Sequence, residues 1–331
     1  MKLLPGLFTL IAAGCASTPP FKTIGTIERY DHSLDAIVSS DAKAAVIAEG
    51  FEWSEGPLWI AEHNMLIFSD VPMNTIYKWT PDKGKEIYLM PSGYTGTLPR
   101  GGEMGSNGLA LDNKGRLVLC QHGDRRVARM DAALNEPKPA FTTIASMYNG
   151  KKFNSPNDAV YNNAGELFFT DPPYGLPTQS DNDSAKETPW NGVYKVKTNG
   201  EVILLVDSIT RPNGLAFLPG ENKLIIANSD PAKPYWYIYD VKGDSLINGK
   251  IFYNAAGYEK GLKGLPDGLK TDRRGNVFAT GPGGLFIFNS NGQLLGKLRL
   301  ENPSSNCALS EDQKTIYITN DMYVLRLKLR D

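Results

Sequence analysis

The chain has 331 residues and a formal net charge of -1, from 35 basic and 36 acidic side chains. This near-neutral balance gives no electrostatic reason to expect a nucleic-acid partner, and a chain of this length can bury a core without a disulfide framework. Its 33 glycines and 22 prolines are spread along the sequence, which is typical of many short strands joined by turns.

The first fifteen residues are typical of an export signal. Lys2 precedes the apolar run Leu3–Ala13, which is too short to span a bilayer as a helix, so residues 1–14 are predicted to be a signal peptide. The tetrapeptide Ala12-Ala13-Gly14-Cys15 resembles a bacterial lipobox, although Ala12 stands where that motif prefers Leu. This resemblance predicts a lipidated Cys15, with ordinary cleavage as the alternative. We therefore expect an exported, periplasmic protein that contacts a membrane only through this lipid anchor.

One short pattern recurs six times along the chain: a polar lead residue, an apolar strand, a tight turn and a second apolar strand. The intervals between the lead residues are 52, 50, 56, 54 and 39 residues. A β-type repeat of about fifty residues indicates a propeller or a β-solenoid, and a four-stranded propeller blade requires about that length. We therefore predict an all-β, six-bladed β-propeller over residues 41–331, preceded by a linker at residues 15–40. The lead residues are Glu55, Asn107, Asn157, Asn213, Asp267 and Asn306.

The last repeat is too short for a complete blade. About 25 residues follow Asn306, which is enough for three strands. The apolar segment around Ala44–Ala48 is expected to supply the fourth strand, because such closure removes the open sheet edges.

The lead residues are predicted to meet at one mouth of the central channel. An Asn-Gly or Asp-Gly pair on its own is more typical of a turn, but here the turn of each hairpin follows several residues later. Each lead residue then stands at the start of the innermost strand, which lines the channel of a propeller. Antiparallel pairing returns the chain to the same end 14 to 17 residues later. The returning positions hold Asp70, His122, Asp171, Ser229–Asp230, Gly281 and Asn320–Asp321.

Polar groups buried near the channel axis require compensation, which a bound cation supplies. Glu55, Asn157, Asn213 and Asp267 offer two carboxylates and two amides, and two carboxylates neutralise a divalent ion. Ca²⁺ accepts irregular oxygen cages, whereas Mg²⁺ requires a near-octahedral site and Zn²⁺ prefers His or Cys. We therefore predict that these four residues bind Ca²⁺, with another divalent cation as the alternative.

Short motifs around these residues resemble the family of gluconolactonase, senescence marker protein and luciferin-regenerating enzyme, whose relatives include diisopropyl fluorophosphatase. The motifs are SEGP at Glu55, SPND at Asn157, RPNG at Asn213 and LPDG at Asp267, together with GSNGLALD, QHGDRRV and TDPPYGL. The last two are similar to the bacterial gluconolactonase branch. The resemblance covers roughly Ala48–Asp331 and implies a six-bladed propeller with one catalytic divalent metal on the axis, held by the same four residues.

The expected reaction is the metal-dependent hydrolysis of a small sugar lactone, in which Ca²⁺ polarises the lactone carbonyl. Asp267 or Asp171 is the candidate acceptor for a proton from the attacking water, although a carboxylate that binds a metal is a poor base unless one oxygen stays free. The candidate ligands for sugar hydroxyls are Asn107, His122, Arg125 and Tyr174. The structural alternatives are a strand cap for Asn107, a bond to a neighbouring blade for His122 and a solvated surface charge for Arg125.

Two other functions remain open at this point. The same metal could support a phosphotriesterase or arylesterase, or the Ca²⁺ could be structural in a propeller that binds without catalysis. The lactone itself cannot be named from the sequence. Substrate preference is expected to depend on the rim segments Met90–Met104 and Pro177–Trp190, because long loops rich in Gly, Pro, Ser and Thr are usually functional or mobile.

Overall fold

The computed structural model describes residues 21–258 and 260–330, so the predicted signal peptide and Cys15 lie outside the described residues. Within that part, the chain forms twenty-eight β-strands and two short 3-10 helices. Before the first blade it forms β1 (Thr23–Ile24), β2 (Thr26–Arg29), a 3-10 helix (His32–Ala36) and β3 (Ala44–Glu49).

Six antiparallel sheets follow one another along the chain, and each is one blade. Strands that are neighbours in sequence pair within each blade, because short turns join them into hairpins.

Blade one comprises β4 (Ser54–Ile60), a 3-10 helix (Ala61–His63), β5 (Met65–Asp70), β6 (Thr75–Thr80) and β7 (Gly84–Leu89). Blade two comprises β8 (Ser106–Leu111), β9 (Leu117–Gln121), β10 (Arg126–Met130) and β11 (Phe141–Ala145). After the hairpin β12 (Met147–Tyr148) and β13 (Lys151–Lys152), blade three comprises β14 (Ala159–Tyr161), β15 (Leu167–Asp171), β16 (Gly192–Val196) and β17 (Val202–Val206). Blades four to six comprise β18 (Pro212–Phe217), β19 (Lys223–Asp230), β20 (Lys233–Lys242) and β21 (Ser245–Asn254); β22 (Leu269–Thr271), β23 (Val277–Gly281), β24 (Gly284–Phe288) and β25 (Leu294–Arg299); and β26 (Asn306–Leu309), β27 (Thr315–Asn320) and β28 (Tyr323–Lys328).

The first strand of each blade lies innermost. The strands β4, β8, β14, β18, β22 and β26 contact one another in that order, and β26 contacts β4, so the ring is closed. This arrangement confirms the prediction of an all-β, six-bladed propeller. Four of the lead residues lie in the innermost strands themselves, whereas Asn157 and Asp267 lie two residues before β14 and β22.

Strand β3 closes the ring, as the short last repeat predicted. It pairs antiparallel with β28, with Ala48 opposite Val324. Side chains from both ends of the chain share one core at this closure, including Val46, Leu298 and Leu325. Apolar burial of this kind stabilises a fold by roughly 25 cal/mol per Å², so closure joins the two ends without a covalent link.

The segment predicted as a linker is partly folded, which corrects the boundary at residue 40. Strand β2 pairs with β25 as a fifth strand of blade five, with Thr26 opposite Arg299, and β1 pairs with β3 as a fifth strand of blade six. Leu34 of the first 3-10 helix is 1% exposed and lies over Gly296, where a Cβ would come within 2.4 Å of its Cδ2 atom. The sparse apolar residues of this segment show no strand alternation, so no sequence pattern marked it.

We expect the Leu325→Ala substitution to lower the free energy of unfolding by about 2 to 5 kcal/mol, because it opens a cavity in the core that closes the ring. The matched substitution Leu98→Ala should change it by less than about 0.5 kcal/mol, since Leu98 is 75% exposed. Urea unfolding followed by circular dichroism measures both values. Equal losses in the two variants would contradict this account of the closure.

Candidate metal centre

A cavity of about 350 Å³ opens at the end of the ring where the innermost strands begin. Glu55, Asn157, Asn213 and Asp267, which come from four blades, all line it. Their side chains are far apart in sequence and meet because the closed ring places the starts of the innermost strands around one axis. The geometric expectation that these four residues share one site therefore agrees with the structure.

The glycine that follows a lead residue lies against the next blade. A Cβ at Gly56 would come within 2.0 Å of the Asn107 carbonyl oxygen, and a Cβ at Gly214 within 2.4 Å of the Asp267 carbonyl oxygen. Only glycine allows the two backbones to approach so closely. The repeated Glu-Gly and Asn-Gly pairs thus mark contacts between blades rather than turns, and these contacts set the spacing of the lead residues around the channel.

The pKa values of the two carboxylates in this set, Glu55 and Asp267, are strongly raised. Burial raises the pKa of Glu55 to about 8, and the negative charges of Asp158 and Glu103 add to the effect. Burial also raises the pKa of Asp267 well above its usual range, followed by repulsion from Glu55. The Gly56 amide donates to Glu55 Oε2 at 3.0 Å, which opposes the shift only in part. Both groups therefore lack a positive partner that would stabilise their charged forms.

Unpaired oxygen atoms also indicate that the site lacks a positive partner. Asp267 Oδ1 is buried and has no hydrogen-bond partner among the described residues, and the same is true of Asn107 Oδ1. Asn213 donates through Nδ2 to Ser229 Oγ at 2.8 Å, which leaves its Oδ1 as the atom available to a ligand. Buried polar atoms are rarely left unpaired in folded proteins, so these oxygens are suited to binding a cation.

The donor set fits a hard divalent ion. Two carboxylates and two amide carbonyls supply oxygen alone, and such ligands suit Ca²⁺. In residues 21–258 and 260–330, no three His, Cys, Asp or Glu side chains are arranged to hold a metal ion, so the two amides are essential to this set. Glu55 and Asp267, once ionised, would balance the charge of one divalent cation.

Two of the four predicted sugar ligands line the same cavity, and two do not. Asn107 and Tyr174 line it, and burial raises the pKa of the Tyr174 hydroxyl, with the charge of Asp267 as a second cause. Arg125 donates through Nε to the Phe153 carbonyl at 2.7 Å and does not line the cavity. His122 is fully buried behind the cavity wall. Arg125 and His122 thus lie outside the cavity lining, and their contact with the sugar stays a prediction.

Asp171 also lies outside the cavity lining. Its two carboxylate oxygens accept the backbone amides of Asn154 and Ser155 at 2.8 and 2.7 Å, and burial raises its pKa to about 7. Asp70 accepts the amides of Glu52 and Trp53 in the same way in blade one. These residues do return to the predicted end of their hairpins, but they hold the segment that leads into the innermost strand. These bonds give Asp171 a structural role, and its catalytic role stays a prediction.

Sequence reasoning missed two acidic residues at the site. Glu103 lines the cavity from the segment between β7 and β8, where no repeat marks it. Asp158 is 2% exposed and lies 3.4 Å from Asn306 Nδ2 and 3.7 Å from Lys270 Nζ. A signal for Asp158 was present in the sequence, because it stands where four of the other five repeats have glycine.

Several known proteins that are similar in sequence or fold are lactone hydrolases by name. The chain is 38% identical over 315 residues to a gluconolactonase of Zymomonas mobilis, which covers 93% of this chain and 87% of the relative. It is 22% identical over 271 residues to the pentonolactonase XacC of Haloferax volcanii, which covers 80% of each. The solved structure of XC5397 from Xanthomonas campestris, a gluconolactonase, matches with a TM-score of 0.79 and 28% identity over 95% of this chain and 100% of that chain. The model of the family described as SMP-30/Gluconolactonase/LRE-like region matches residues 53–321, and the chain therefore belongs to this family.

Proposed function

We propose that the protein is a calcium-dependent hydrolase that opens a small sugar lactone. The observation that carries this proposal is the convergence of four oxygen donors on one buried cavity, where two carboxylates lack a positive partner. The gluconolactonase and pentonolactonase names of the relatives support the substrate class. The cavity of about 350 Å³ is of the size that small-molecule sites usually have.

The chain's own residues would bind and orient the substrate. Asn107 offers an unpaired Oδ1 as an acceptor for a sugar hydroxyl, and the buried Tyr174 hydroxyl offers a donor. Trp53 also lines the cavity and gives the sugar ring an apolar face to lie against. A bound divalent cation supplies Lewis acidity toward the lactone carbonyl. Asp267 is proposed here as a ligand alone, because a carboxylate that binds a cation is a poor base.

The rim segments Met90–Met104 and Pro177–Trp190 are proposed to select among lactones. Glu103 of the first segment lines the cavity, and the second segment begins shortly after Tyr174, which lines it as well. Phosphotriesters and aryl esters are alternative substrates for the same metal, and a purely structural cation is the non-catalytic alternative.

We propose in addition that the protein is exported and lipidated at Cys15, which places it in the periplasm on a membrane anchor. The motif in the sequence supports this proposal. No helix among the described residues is both long and apolar enough to cross a membrane.

We expect the Asp267→Asn and Glu55→Gln variants to lose at least about a hundredfold in kcat/KM toward δ-lactones, since each loses one charge of the ligand set. Acid release from a lactone panel, followed with a pH indicator, gives the rates, and calorimetry gives the Ca²⁺ affinity. Glu52→Gln is the control, because Glu52 is exposed on the same rim. A chelator should abolish activity in the wild type.

Turnover of paraoxon or phenylacetate in place of lactones would support the esterase alternative. A chelator that only lowers the melting temperature would support a structural cation.

The stability of the metal-free protein should fall as the pH rises from about 6 to about 9. The pKa of Glu55 is raised to about 8, so between its ordinary pKa and this value the folded state binds a proton that the unfolded chain does not. That contribution is lost as the pH rises through about 8. Because Ca²⁺ requires the ionised carboxylates, it should raise the melting temperature more at about pH 9 than at about pH 6. Thermal melts with chelator or Ca²⁺ measure the difference, and Glu55→Gln should reduce both effects. A Ca²⁺ effect that is equal at every pH would refute this linkage.

The Cys15→Ser variant, expressed in a Gram-negative host, should move from the membrane fraction to the soluble periplasmic fraction, because the thiol that carries the lipid is gone. Fractionation with immunoblotting and labelling with a radioactive fatty acid measure the change. Ser17→Ala is the matched control and should stay in the membrane fraction. Wild-type protein found only in the soluble fraction would show that ordinary cleavage occurs instead.

A further inference from the structure

Glu103 is a cavity-lining carboxylate that is not among the four proposed ligands. Three carboxylate side chains are found in the cavity lining within the described residues: Glu55, Asp267 and Glu103. The first two are proposed to hold the cation, and Asp171 is bonded to backbone amides elsewhere. The side chain of Glu103 is 22% exposed and makes no hydrogen bond within the described part of the chain. Its oxygens are therefore available to a water molecule in the cavity.

The imidazole of His122 lies directly behind this carboxylate. His122 Nδ1 is 3.4 Å from Glu103 Oε2, and the His122 side chain has no exposed surface. Neither ring nitrogen has a hydrogen-bond partner among the described residues. A buried imidazole without partners is costly, so a small closure of the 3.4 Å gap would give Nδ1 a hydrogen bond to the carboxylate. Gly175 packs against the ring, where a Cβ would come within 2.5 Å of His122 Cβ, and leaves it little room to turn away.

The backbone that leads to Glu103 is held by contacts of two preceding residues. The guanidinium of Arg100 donates to the carbonyl oxygens of Gly123 and Gly175. Gly102 has a φ of +75°, and a Cβ there would come within 2.3 Å of the Leu176 carbonyl oxygen. Glu103 thus directly follows a segment that Arg100 and Gly102 hold in place. A group held in place before the substrate arrives loses little entropy in the reaction.

We propose that Glu103 is the catalytic residue that accepts the proton of the attacking water, and that His122 is a positioning residue that orients its carboxylate. This inference rests on the proposed lactone hydrolysis. It replaces Asp171 and Asp267, which the sequence suggested for this task, with a residue that no repeat pattern marked.

The proton balance of the reaction is simple. The O–H bond of water breaks, its proton moves to Glu103, and the water oxygen forms a bond to the lactone carbonyl carbon. The bond between that carbon and the ring oxygen then breaks, and the carboxyl of Glu103 returns the proton to the ring oxygen, which becomes the hydroxyl of the product. One water is consumed, the product is a hydroxy acid, and Glu103 ends as the carboxylate with which it began.

The test compares Glu103→Gln, which keeps the size of the side chain, with the wild type loaded with Ca²⁺. We expect kcat on the preferred lactone to fall by about a hundredfold or more, while KM changes by less than about threefold and the Ca²⁺ affinity measured by calorimetry is unchanged. Glu301→Gln removes an exposed carboxylate outside the cavity lining and should keep the wild-type kcat. Glu103→Ala should regain part of its rate when formate is added, because formate can occupy the vacated space and accept the proton.

Two variants test the role of His122. His122→Gln keeps a hydrogen-bond donor near Glu103 and should retain more of kcat than His122→Phe, while both keep KM within about threefold of the wild type. Thermal melts with Ca²⁺ confirm that each variant is folded. Should the histidine variants fail to fold, the Glu103 variants and the formate rescue still decide the proposal for Glu103.

The results separate this proposal from the proposed function. Wild-type protein that hydrolyses no lactone would overturn both. Wild-type activity together with an active Glu103→Gln enzyme, within about threefold of the wild-type kcat, would overturn the role of Glu103 alone. A raised KM at unchanged kcat would also overturn it, since Glu103 would then bind the substrate rather than take its proton.

Discussion

The burial of several carboxylates close together is the constraint on which the site depends. Glu55 and Asp267 share one cavity with Glu103, and Asp158 lies close enough to raise the pKa of both. Burial in a medium of low polarity makes each negative charge more costly, and every neighbour of the same sign adds to that cost. The proposed divalent cation would offset both costs at once. The fold therefore holds an arrangement that is unfavourable by itself and that such a cation would stabilise.

The closed ring makes this arrangement tolerable. The four proposed ligands come from four blades and keep their mutual distances only if the blades cannot slide or separate. Two features prevent that. Strand β3 joins the two ends of the chain through β28, and glycines such as Gly56 and Gly214 bring the innermost strands into backbone contact. Stability far from the cavity, in the core shared by Val46 and Leu325, is thus part of what positions the ligands.

The acidic residues at the mouth of the ring form three groups with different roles. Asp70 and Asp171 bind backbone amides and fix the segments that lead into the innermost strands. Glu55 and Asp267 face the cavity with little internal bonding. Glu103 faces the cavity as well but is backed by His122. Acidic residues at one mouth of the ring thus differ in their partners, and the partners separate structural carboxylates from those available to a ligand.

The repeat in the sequence was sufficient to predict the number of blades, the strand that closes the ring and the four residues that share the cavity. These features depend on local patterns, namely alternating apolar strands and a polar residue at the same position of each repeat. In a closed ring, equivalent positions of the repeats lie around one axis and therefore form one site. Only the tertiary structure decided what lies outside the repeat. It showed that residues 23–36 fold onto blades five and six, that Asp171 and Arg125 are bonded away from the cavity, and that Glu103 and His122 meet there. The physical reason is that a side chain's partners come from segments distant in sequence, and no periodicity records which of them it will face.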